Sequence, residues 1–296
     1  MDITFAKQIG LINFLFRGLV IKFLRKLKKD KFIYKTLFGK NYSIYNWDPS
    51  GAEVFLTQCF TDWGNEYFFL DSFKDRKNGI FLDIGCHSGY YSILYSNYFN
   101  KIVGFEPNSK CIEILKNLEN ERFNWNQNFV GNKSIEVKSK ENPNGYSFYD
   151  NSYLGKDFSA KSLTQITLDN YCKKNELSNI SAIKIDVDGI DLEVLQGANE
   201  IIDNNRPCIM IENYTIELFE FFKDKNYSFW TLSSSKDKPY DLQLEEITDY
   251  DPHKWVKMIN CIPNEFKKEY KNKIFKGNYL TGINKNKILK TFNINL

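Results

Sequence analysis

Residues 79–92 read GIFLDIGCHSGYYS, and the order of residue types in this stretch decides the architecture. Ile80 to Ile84 is a short apolar run broken by one acid, Asp83. A turn bracketed by Gly85 and Gly89 follows, and Tyr90 onward has the composition of a helix. An apolar run of that length, ending in glycine, predicts a strand buried on both faces. Glycines in the turn let the backbone approach a ligand closely, and a helix starting there offers unpaired N–H groups. The glycine spacing is GxxxG rather than the GxGxxG of a dinucleotide loop, which argues against a nicotinamide oxidoreductase.

The same alternation continues toward the C-terminus. KIVGFEP is a second strand, and residues 108–120 carry Cys111, Ile112, Ile114, Leu115 and Leu118 at helical spacing. NQNFVG reads as a weaker third strand, AIKIDVDG as a fourth with a helix through DLEVLQGANEII, and PCIMIEN as a fifth before the helix TIELFEFFKDK. YSFWTL and VKMINCIP are the last strand candidates. Strands alternating with helices predict crossover connections, hence a Rossmann-like α/β domain with a mostly parallel sheet covered on both faces. Residues 134–162, rich in Asn, Gly, Ser, Lys and Tyr, interrupt the pattern and read as a hairpin or an excursion over the mouth of a site. Before the alternation, FIYKTLFGKNYSIYNWD reads as a hairpin turning at Gly39-Lys40-Asn41, and residues 51–76 read as helical.

Two further segments carry chemistry. Val103-Gly104-Phe105-Glu106-Pro107 puts a carboxylate just past a buried strand, 23 residues beyond Asp83. An acid there is costly without partners, and it can accept two hydrogen bonds from a ribose diol. Lys184-Ile185-Asp186-Val187-Asp188-Gly189 ends the fourth strand with two acids, followed by Asp191, Leu195, Gly197 and Ala198.

Together these segments resemble the FkbM-type methyltransferases. KIDVDGIDLEVLQGA resembles that family's KIDVEGAELEVLKGA, and DIGCHSGYYS its DVGANIGYYS. GFEP, TLDNY (Thr167 to Tyr171), PCIMIEN and INCIP resemble further family segments in the same order, over about residues 63 to 263. The resemblance implies a class I methyltransferase fold with a seven-stranded sheet, S-adenosylmethionine as donor, and O-methylation of a hydroxyl on a sugar, glycan or secondary metabolite. It places Asp83, Gly85, His87 and Gly89 in the donor loop and Glu106 with Pro107 at the ribose. It puts Gly131 and Asn132, just after the third strand, near the adenine, and Asp186 beside the reactive methyl group. The sequence departs from the family at Cys86-His87, where Ala-Asn is usual, and at Asp188 and Asp191, where glutamates are usual. The two Asp-for-Glu swaps keep the charge but alter its reach.

A hydroxyl is a weak nucleophile and is helped by a general base, for which Asp186 is the first candidate and Asp188 the second. A metal-assisted alternative would use Asp186, Glu212 and Asn213, oxygen ligands suited to Mg²⁺. Other readings are an N-methyltransferase, an enzyme acting on lipid or protein, and a non-catalytic binding protein that retains the donor fold.

Composition narrows the partners. The net charge is +3 over 296 residues, which argues against a nucleic-acid substrate. Six scattered cysteines without a CxxC pair, and two histidines, suggest neither a disulfide framework nor a structural zinc site, and a cytoplasmic setting is expected. Residues 1–31 carry eight bases (Lys7, Arg17, Lys22, Arg25, Lys26, Lys28, Lys29, Lys31) against Asp2 and Asp30. The longest charge-free stretch there, Gln8 to Phe16, falls far short of the ~20 residues that span a bilayer, and no small-residue cleavage site follows. The segment reads as a basic amphipathic helix, packed on the catalytic domain or a second subunit, or else lying on an anionic inner membrane surface. The expected organisation is therefore an N-terminal helix and cap over 1–62, a methyltransferase domain over 63–263 and a basic tail over 264–296.

Overall fold

The computed structural model describes residues 3–28, 31–37, 39–45, 48–76, 78–141, 147–148, 160–267 and 285–291. Two compact units divide the chain, Arg76–Pro207 forming one and Met1–Asp75 with Cys208–Leu296 the other. The strands after Pro207 pair with one another, and the helix Asn65–Phe73 packs on two of them, Cys208–Ile211 and Ile259–Pro263.

The 76–207 unit is the doubly wound part. Its parallel strands run in the order Ile180–Ile185, Ile80–Ile84, Lys101–Phe105, Phe123–Asn126. Ile180–Ile185 is buried at every residue, and the next two strands are buried at all but the first. That is why they read as near-continuous apolar runs. Helices Tyr90–Tyr95 and Ser109–Lys116 return the chain between strands, the second capped by Asn108, whose side chain accepts from Lys110 N at 2.8 Å. The Arg76 guanidinium donates to the carbonyls of Ser181, Asn205 and Arg206. It thereby satisfies orphan carbonyls at the end of the helix Asn199–Asn205.

Two sequence expectations change in this unit. The third parallel strand is Phe123–Asn126, not NQNFVG. Phe129–Val130 belongs instead to a small sheet ordered Phe129–Val130, Ala160–Ile166, Ile135–Glu141, Ser147–Phe148. Ile135–Glu141 and Ala160–Ile166 pair antiparallel, as the hairpin reading expects; residues 142–146 and 149–159 lie outside the described residues.

The other unit is antiparallel. Lys238–Ile247, Tyr227–Ser235, Ile259–Pro263 and Cys208–Ile211 pair in that order, and Lys254–Val256 adds to Tyr227–Ser235. These pairings are antiparallel because Ile259–Pro263 runs against both of its neighbours, so Cys208–Ile211 and Tyr227–Ser235 point the same way. The charged strand Lys238–Ile247 does not look like a strand in the sequence, and its partner is what organises it. The hairpin forms as Lys31–Lys35 with Asn41–Tyr45, so Asn41 is a strand residue. The helical reading of 51–76 splits into Pro49–Thr57 and Asn65–Phe73, because Gln58, Cys59, Trp63 and Gly64 take positive φ. Asn65 is fully buried and bonds Leu232 N and Asn260 Nδ2 through its oxygen. Residues 285–291 form a helix. All six cysteines are buried as thiols.

Candidate functional site

The site forms where the parallel strands of the 76–207 unit end. The loop after Ile80–Ile84 is held by backbone bonds: Gly85 N and Cys86 N both donate to Phe105 O, and Gly89 N donates to Cys86 O at 2.8 Å. Gly85 has φ +70, and a Cβ there would lie 1.9 Å from Asp186 O. Only glycine lets the first and fourth strands converge this closely.

Glu106 is buried at the end of the second strand and braces this loop. Its Oε2 accepts from His87 N at 2.9 Å and its Oε1 from Asn108 N at 2.9 Å. Burial raises its pKa; the nearby His87 and the two backbone donors oppose the rise. One bond per oxygen leaves lone pairs for the two hydroxyls of a diol. His87 has φ 48, a left-handed conformation that Asn also tolerates, and its Nδ1 lies 3.2 Å from Ser88 Oγ.

Asp83 is completely buried. Its Oδ2 accepts from Ser92 Oγ at 2.6 Å, while its Oδ1 has no hydrogen-bond partner. Burial raises its pKa, countered first by the Lys184 ammonium. Lys184 is itself buried. It donates to Gly85 O at 3.0 Å, pairs with Asp186 Oδ2 at 2.9 Å and lies 5.2 Å from the centre of the Tyr91 ring. An unpaired lysine would be costly here, and this one is compensated on three sides.

Beyond the fourth strand, Asp186 N donates to Ile84 O, which fixes the start of the turn. Asp188 follows at φ 53 on the surface, and its carboxyl is pushed up by lost hydration and by the Asp186 charge. Asp191 is buried and accepts from Val187 N and Gly189 N, which closes the turn.

Asp83, Gly85, His87, Gly89, Glu106, Pro107, Asp186 and Asp188 thus share one end of the parallel strands. Gly131 and Asn132 do not directly follow the third strand. Gly131 N donates to Ile166 O, Asn132 Nδ2 donates to Gln196 Oε1, and Gly197 comes so close that its Cβ would lie 2.0 Å from Gly131 O. The residues that directly follow the third strand are Gln127, which donates to Pro107 O, and Asn128, which donates to Thr164 O. Lys184 is the site residue that motif reading left without a role. A lysine between two isoleucines of a buried strand was its signal. Asp186 and Glu212 lie in different units, and no cluster of three or more His, Cys, Asp or Glu among the described residues could hold a metal ion. The Mg²⁺ alternative gains no support.

A family model described as the methyltransferase FkbM domain matches residues 83–233, which contain every one of these site residues and more than half of the chain. The chain belongs to the FkbM methyltransferase domain family. A Dictyostelium discoideum protein named as a methyltransferase is 37% identical over 54 residues, 18% of this chain and 20% of that protein. The FkbM methyltransferase of Methylobacillus flagellatus is 15% identical, with 72% of this chain and 54% of that one covered and a TM-score of 0.41. A Streptococcus mutans methyltransferase solved with S-adenosylhomocysteine is 12% identical, with 68% and 98% covered and a TM-score of 0.36. The chain spans about a fifth of the Dictyostelium protein and about half of the Methylobacillus one. Within the FkbM domain, Asp83 lies near the end of the strand that feeds the glycine turn, Glu106 braces that turn from the neighbouring strand end, and Asp186 and Asp188 lie in the turn just past the fourth strand.

Proposed function

We propose that this chain is an S-adenosylmethionine-dependent methyltransferase acting on a hydroxyl oxygen of a sugar, a glycan or a secondary metabolite. The observation that carries the reading is Glu106, a buried carboxylate with one backbone donor on each oxygen. It is a site ready to accept two more hydrogen bonds from a diol. The unpartnered Oδ1 of Asp83 supports the fit, since it is a buried acceptor near the end of the adjacent strand with its need unmet. When bound, the donor supplies a methyl group on positively charged sulfur, which leaves as a neutral thioether.

The chain's own residues align and deprotonate. Glu106 takes the ribose hydroxyls, Asp83 faces the methionine end, and the Gly85–Gly89 turn gives the backbone clearance. Gln127 and Asn128, directly after the third strand, would flank the adenine. Asp186, tied down by Lys184, orients the acceptor hydroxyl. Asp188, whose pKa is raised by lost hydration and by the Asp186 charge, takes the proton. The carboxylates just past the fourth strand are what favour oxygen over nitrogen as acceptor.

Titration calorimetry with S-adenosylhomocysteine on the wild type and on Glu106→Ala tests the donor site. Micromolar binding by the wild type, lost in the variant, is expected. A folded wild type that binds none overturns the donor assignment. Methyl transfer to a panel of glycans and hydroxylated metabolites then tests the acceptor, with Asp188→Asn expected to lower kcat by about 10²-fold or more and leave donor affinity unchanged.

A further inference from the structure

The helix Leu11–Lys26 docks on its own unit by a narrow stripe. Phe14 and Ile21 are buried, and between them Arg17 donates to Phe55 O at 2.7 Å with its guanidinium 4.6 Å from the Phe55 ring centre. The opposite face is bare and apolar until its C-terminal end, where Lys22 and Lys26 share the same arc. Leu11, Ile12, Leu15, Phe16, Leu19 and Phe23 are between 53% and 84% exposed. At 100° per residue they fill an arc of about 140°. Scattered exposed apolar residues are ordinary, but six in one contiguous face call for an occupant.

The charges name it. Lys22, Arg25, Lys26 and Lys28 stand exposed at the C-terminal end of this helix. No acid occurs between Asp2 and Asp30. We infer that this face is a docking surface for an anionic lipid bilayer, with the leucines and phenylalanines in the acyl boundary and the bases among the headgroups. Sixteen residues make a helix of about 24 Å, shorter than the hydrocarbon core, and no helix among the described residues is long and apolar enough to cross a membrane. The helix therefore lies in the plane of the surface. A second copy of the chain fits less well, because its own face carries the same bases and no carboxylate to meet them. This inference stands apart from the methyltransferase reading, since none of its residues belongs to the donor loop. Its consequence is that the acceptor is presented at or near a membrane.

Flotation of the full-length chain tests it, using vesicles of phosphatidylcholine alone and of phosphatidylcholine with phosphatidylglycerol. The wild type is expected to float only with the phosphatidylglycerol vesicles and to be released by high salt. The pairs Lys22→Glu/Lys26→Glu and Leu15→Ser/Leu19→Ser are each expected to lower the bound fraction about tenfold or more. The melting temperature should hold, because all four side chains are exposed. A wild type that ignores the anionic vesicles, or binding that the lysine pair does not weaken, overturns the proposal. So does a dimer in sedimentation velocity that Leu15→Ser/Leu19→Ser dissociates, since it would assign the face to a second copy.

Discussion

Lys184 Nζ lies 2.9 Å from Asp186 Oδ2, and the same ammonium donates to Gly85 O. One buried cation therefore ties the acid of the fourth strand to the glycine turn of the first. Deleting one partner of a fully buried pair costs about 3–5 kcal/mol. The Asp186 side chain is 34% exposed, so solvent takes part of that and Lys184→Met is expected to cost about 2 kcal/mol. Urea denaturation measures it. Calorimetry well below the melting temperature should also show S-adenosylhomocysteine affinity down about tenfold (about 1.4 kcal/mol). A purely structural lysine would leave that affinity unchanged.

Two glycines separate strain from crowding. At Gly85 a Cβ would meet the backbone oxygen of Asp186 at 1.9 Å with φ +70, and neither strand can yield. Gly85→Ala is expected to abolish donor binding and to cost more than about 3 kcal/mol. At Gly104 the nearest atoms are the Trp125 ring at 2.5 Å and Cys86 Sγ at 2.9 Å, side chains that can shift. Gly104→Ala should cost about 1–3 kcal/mol and keep measurable donor binding. Thermal melts and calorimetry on both proteins distinguish the cases.

His87 holds Glu106 through its backbone N–H, and asparagine accepts φ 48 readily. His87→Asn, which restores the residue usual in the family, should keep S-adenosylhomocysteine affinity within about threefold (under 1 kcal/mol). A loss beyond tenfold would mean that the imidazole itself meets the donor.

Glu66 gives the fold a pH dependence. It is fully buried and accepts from Thr61 Oγ1, Asp62 N and Gly64 N. Burial, and then the Asp62 charge, push its pKa from 4.5 to about 8. Between those values the folded chain keeps a proton that the unfolded chain has released, so this group's contribution lowers stability as pH rises through the window. Urea midpoints across that range should fall with pH, and Glu66→Gln should flatten the slope. An equal slope in the variant would place the dependence elsewhere.

The sequence by itself determined the parallel strands Ile80–Ile84, Lys101–Phe105 and Ile180–Ile185, because a strand buried on both faces must be apolar almost throughout. It also determined the three acids Asp83, Glu106 and Asp186, since a carboxylate in or just past such a run is costly unless it has a task. Tertiary structure alone decided the rest. Phe123–Asn126 is the third strand because it pairs with Lys101–Phe105, whereas Phe129–Val130, just as apolar, pairs with Ala160–Ile166. Local composition cannot say which partner a short strand will find, and that choice set Gly131 N against Ile166 O. The polar strand Lys238–Ile247 was silent for the same reason, as its pairing with Tyr227–Ser235 holds it in place. Lys184 was visible as a misplaced charge, but its role needed Gly85 and Asp186 brought within hydrogen-bond reach, and only the folded chain does that.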